Sequence, residues 1–177
     1  MTRKVRLFFM NRKIVCSLLL AFACVIAGIL GCTTNSADRT LKDIGYELGI
    51  DIGEGEIVKL EDTHGGFHGD GSLLVTIKFA NNKLENKLAD SKEWQAFPLD
   101  KTAQTLLYGN TIEDEQVGPF VTDRDGNKLF PPVKKGYYWL RDRQPEVSQS
   151  ATNCLSNFTI AVYDEQKNML YYCKMDT

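Results

Sequence analysis

Histidine is almost absent from this chain: 177 residues contain two, His64 and His68, and both fall inside one short loop. Any chemistry that needs an imidazole is confined to that loop. Cysteine is scarce where a disulfide framework would need it. Of the five, Cys16 and Cys24 lie in an apolar run near the amino terminus, Cys32 ends that run, and Cys154 and Cys173 alone remain beyond it. A cystine-rich scaffold is thereby excluded. The pair Cys154 and Cys173 can form one disulfide in an oxidising compartment or stay as two small buried hydrophobes. No repeat, extended low-complexity tract, Walker loop, dinucleotide fingerprint, paired Cys-x-x-Cys, zinc-protease helix or Gly-x-Ser-x-Gly elbow occurs. Without those patterns no catalytic residue can be named.

Acidic residues are missing from the first thirteen positions, which carry Arg3, Lys4, Arg6, Arg12 and Lys13. Ile14 to Leu30 then run seventeen positions without a charge. This is a basic segment followed by the apolar core of an export signal. It falls short of the roughly 20 apolar residues that a spanning helix needs, and small residues rather than basic ones follow it. The run closes on Ile29-Leu30-Gly31-Cys32, which resembles the bacterial lipobox, although Leu30 is bulkier than the usual Ala or Ser. The resemblance implies that the Cys32 sulfur takes up a diacylglyceryl group and that the peptide bond before it is cut. Two acyl chains give stable anchoring where one binds reversibly, at about 0.8 kcal/mol per buried methylene. The expected organisation is a signal peptide over 1–31, a lipidated tether over 32–38 and a single domain over 39–177.

Loss of residues 1–31 removes five basic side chains and no acidic one, taking the net charge from −2 to −7. An acidic body repels nucleic acid and anionic headgroups, so nucleic-acid partners are excluded. Within it, Thr40 and Asp43 suggest a capped helix bearing Leu41, Ile44 and Leu48. Strands are predicted over 56–62 and 72–79, with Leu73, Val75, Ile77 and Phe79 on one face. Asn81 or Asn82 caps a short helix with Leu84 and Leu88, and Asp100 caps another with Ala103, Leu106 and Leu107. Trp94, Phe97 and Leu99 read as core. Residues 109–136 read as a long irregular excursion or a mobile hairpin. Strands over 137–143, 158–163 and 169–174 follow, the last two as a hairpin. The expected fold is α+β, an antiparallel sheet of about five strands with short helices packed on one face; the alternative is a small β-barrel with peripheral helices.

The loop from Asp62 to Gly71 holds both histidines, two flanking carboxylates and four glycines. Asp62, His64, His68 and Asp70 offer imidazole and carboxylate ligands for a transition metal, though their spacing matches no established metal motif. The competing reading is a hairpin loop in which Asp62, Thr63 and Asp70 bond backbone amides. Asp123-Arg124-Asp125-Gly126-Asn127 reads as a turn, because its glycine sits at the fourth position and not the sixth of a calcium loop. Tyr137, Tyr138 and Trp139 with Arg141 and Arg143 read as alternating core, or as an aromatic and cationic surface.

The His/Gly loop, the stretch Gly136-Tyr137-Tyr138-Trp139-Leu140-Arg141-Asp142-Arg143 and the closing strands resemble a group of Firmicutes lipoproteins. The resemblance covers most of the expected domain and carries no activity with it. The expected role is a lipid-anchored binding or accessory protein at the outer face of a bacterial cytoplasmic membrane, contacting an envelope protein or small ligand and using no cofactor. Two alternatives are a metal-binding protein or metal-dependent enzyme built on His64 and His68, and an inhibitor or immunity-type protein acting on an envelope enzyme through residues 109–136.

Overall fold

The computed structural model describes residues 36–65, 69–112, 114–123, 125–144 and 157–177. The chain divides into two compact units, Met1–Thr40 and Leu41–Thr177. In the first, residues 36–40 open helix α1, which runs over 36–47, and the Thr40 hydroxyl donates to the Ser36 carbonyl at 3.1 Å. Thr40 is therefore an interior helical residue and not the expected N-cap. Its short side chain returns its hydrogen bond to the preceding turn.

The second unit is built on a six-stranded antiparallel sheet. Its strands are β1 (Glu56–Asp62), β2 (Gly71–Lys78), β3 (Gln95–Ala96), β6 (Gly136–Asp142), β7 (Phe158–Asp164) and β8 (Met169–Asp176), in the spatial order β1-β2-β8-β7-β6-β3. β4 (Asn110–Ile112) and β5 (Glu115–Val117) form a separate two-stranded hairpin. Helices α2 (Lys83–Ala89) and α3 (Lys101–Tyr108) complete the described elements. The α+β class holds. The sheet has six strands where about five were expected, and it does not close into a barrel. The additional strand is β3, whose two residues pair with Tyr137 and Tyr138; a two-residue edge leaves no periodicity to detect.

Helices cover both faces of the sheet, which corrects the one-face expectation. On the first face Val75, Ile77, Trp139, Ala161, Tyr163, Leu170 and Tyr172 pack with Leu41 and Ile44 of α1, with Leu48 in the turn that follows it, and with Leu84 and Leu88 of α2. On the other, Tyr138, Phe158, Ile160, Val162, Tyr171 and Cys173 pack with Ala103, Leu106 and Leu107 of α3 and with Val121, Phe130 and Val133. Those last three lie in the 109–136 excursion, which thus covers part of the core. The cause is legible in β7, buried at all seven positions: a strand with no solvated face needs a layer on each side.

Local signals account for the helices. The Asp100 carboxylate accepts from the Ala103 N–H at 2.7 Å, and Gly109 ends α3 at φ +80°. At α2, the Asn81 side chain accepts from the Lys83 N–H at 3.0 Å. Trp94 is buried, as expected of core, while Phe97 and Leu99 are partly buried against the second cluster.

Candidate functional site

The β1–β2 hairpin places Asp62 at the end of β1 and His64 two residues beyond. The Asp62 carboxylate accepts from the His64 backbone N–H at 3.0 Å and lies 2.7 Å from ring Nδ1. Thr63 secures the loop from the other side, its hydroxyl oxygen accepting from the Ser72 N–H at 2.8 Å. The second ring nitrogen, Nε2, lies 3.1 Å from an Asp176 carboxylate oxygen at the end of β8. His64 is thus held between two carboxylates from strands remote from each other in sequence.

The chain of contacts continues inward. Arg143 donates to the other Asp176 oxygen at 2.6 Å, to the carbonyls of Met175 at 2.6 Å and Phe158 at 3.2 Å, and to the Thr159 hydroxyl at 3.1 Å. Thr159, fully buried, donates to one Glu47 carboxylate oxygen at 2.6 Å, and the Tyr172 hydroxyl donates to the other at 2.7 Å. Asp62, His64, Asp176, Arg143, Thr159, Glu47 and Tyr172 therefore form one polar chain along the end of the first sheet face. Among the described residues no buried side-chain nitrogen or oxygen lacks a partner.

The electrostatics follow from that chain. The bond to Asp62 raises the His64 pKa, burial opposes the rise, and the bond to Asp176 adds to it. The His64 backbone N–H and then its ring lower the Asp62 pKa. Burial would raise Asp176, but Arg143 and His64 outweigh it and the net shift is downward. Burial and the Glu47 carboxylate push the Tyr172 phenol up, keeping it a donor.

When protonated, an imidazole whose two nitrogens both face carboxylates donates from both. It then has no lone pair for a metal and none for accepting a substrate proton. Of the residues proposed as ligands, Asp62 and His64 come together, Asp70 is exposed and its backbone carbonyl accepts weakly from the Gly65 N–H at 3.5 Å, and His68 lies outside the described residues. Among the described residues no group of three or more His, Cys, Asp or Glu is arranged to hold a metal ion. Cys173 is a free buried thiol, pushed up to about 12 by burial, and Cys154 lies outside the described residues.

The polar chain reaches a surface cleft at Glu47. This cleft, of about 550 Å³, is lined by Tyr46, Glu47, Glu93, Trp139 and Arg141. Tyr46 is 91% exposed at its rim, Arg141 lies 6.0 Å from the centre of the Trp139 ring, and Trp139 Nε1 donates to Glu93 at 3.4 Å. Tyr138 is core, Tyr137 is partly buried and Arg143 turns inward, so of the expected aromatic and cationic surface the cleft keeps Arg141 and the largely buried Trp139. The 123–127 segment is a turn, with the Asp123 carboxylate accepting from the N–H groups of Asp125 and Asn127. Asp176 and Glu47, and the inward role of Arg143, escape sequence reasoning because their partners are remote; His64 and Asp176 are 112 positions apart. No protein-family model, curated protein or solved structure matches this chain.

Proposed function

We propose that the chain is a lipoprotein, anchored through a diacylglyceryl group on Cys32 to the outer face of a bacterial cytoplasmic membrane, whose body is a non-catalytic binding or accessory domain. The observation that carries this reading is the basic and then apolar stretch that ends on Ile29-Leu30-Gly31-Cys32. The likeness to the Firmicutes lipoproteins points to the same address. Tethering raises the domain's concentration near other surface components without requiring any affinity of its own for lipid.

The polar site supports binding over catalysis. His64 lies between two carboxylates and ties the end of β1 to the end of β8. The cleft beside Glu47 offers carboxylates, a guanidinium and an exposed tyrosine to a polar ligand. Among the described residues no helix is long and apolar enough to cross a membrane.

The test is metabolic labelling with a clickable fatty acid in a bacterial host, followed by fractionation. The wild-type chain should carry label and stay with membranes through high salt, since an acidic body has no electrostatic hold on anionic lipid. Cys32→Ser should lose the label. A wild-type chain without label overturns the proposal.

A further inference from the structure

β1 is the outer strand of the sheet, and among the described residues it is paired on one side only. It is exposed at six of its seven positions, and Val58 and Leu60, at 48% and 47%, are two of the three exposed large hydrophobic residues among those described. An edge strand presents a row of unpaired N–H and C=O groups, and proteins ordinarily blunt it with charge or a bulge. Both devices are here: the register with β2 shifts between Ile57 and Lys59, and Lys59 sits on the edge. The lysine, however, is accompanied two residues on by Glu61, with which it forms an ion pair at 3.1 Å.

The register determines which backbone groups are open. The Thr63 N–H donates to the Ser72 carbonyl at 2.9 Å. Alternation along the strand then turns the backbone groups of Lys59, Glu61 and Thr63 towards β2 and those of Leu60 and Asp62 outward. We propose that β1 is a homophilic edge, and that two copies of this chain pair their β1 strands antiparallel about a two-fold axis at Leu60, continuing the sheet from one copy into the other.

Charge selects this register and the partner. With Leu60 opposite Leu60, each Lys59 faces the Glu61 of the second copy, giving two complementary pairs. A crossing at Lys59 opposes two lysines, a crossing at Glu61 opposes two glutamates, and a crossing at Asp62 opposes two aspartates. Like charges directly opposite destabilise a strand pair. The isologous arrangement also ends growth, because it consumes the one edge it uses.

The test uses the detergent-solubilised full chain in sedimentation velocity. Lys59 and Glu61 have side chains 54% and 47% exposed, so charge reversal there leaves the fold intact, as circular dichroism verifies. The wild type should dimerise, and Lys59→Glu and Glu61→Lys should each weaken the dimer at least tenfold. Mixing the two variants should restore wild-type association. One variant then brings two acidic side chains at these positions and the other brings two basic ones, so both facing pairs are again of opposite charge. A monomeric wild type, or a mixture no tighter than the separate variants, overturns the proposal.

Discussion

His64 closes a gap of 112 positions by bonding Asp176 while Asp62 holds its other nitrogen. Its raised pKa means that the imidazolium stabilises the fold fully below the ordinary value of about 6.5 and that this contribution fades as pH rises through the folded value. Asp62 and Asp176 are lowered, so their contribution is present above the ordinary carboxylate value and fades as pH falls through the folded one. The tie is therefore complete in mildly acidic solution. In urea titrations His64→Gln should lower the midpoint at pH 6 and approach the wild type by pH 9; a constant difference across that range would contradict the ion-pair description. Gly136 presents a second residue-scale test. It sits at φ +148°, and a Cβ there would collide with the Tyr163 carbonyl. Gly136→Ala should cost about 3 kcal/mol of unfolding free energy, well above a typical surface change.

Among the elements, α3 and β7 give contrasting expectations. Asp100→Ala removes one capping bond at the start of α3 and should cost about 1 kcal/mol by chemical denaturation. Ile160→Ala hollows the fully buried centre of β7 and should cost roughly 2–5 kcal/mol. The elements with strong local signals were legible: the capped α3, the Leu84/Leu88 helix and the alternating β2 lie where composition and spacing place them. β3 was not, since two residues have no period. The second covered face was readable in principle from Phe158 to Tyr163, six residues without a charge. The alternation of Thr159, Ala161 and Tyr163 with Phe158, Ile160 and Val162 is equally compatible with one solvated face. Thr159 misled because its burial depends on Glu47 and Arg143, which approach from remote positions. The loop histidine was visible, whereas its tertiary partner Asp176 was not, for the same reason.

At the scale of the molecule, the sheet has a layer on each face, the polar chain is internally satisfied among the described residues and residues 32–177 carry a net charge of −7. Under the proposed anchoring, the whole burden of membrane attachment falls on the sulfur of Cys32. The most direct measurement is the intact mass of the protein purified from bacterial membranes. The expected result is a chain beginning at Cys32 that carries the added mass of a diacylglyceryl group; a chain beginning at Met1, or an unmodified Cys32, would contradict the anchoring and the surface role that rests on it.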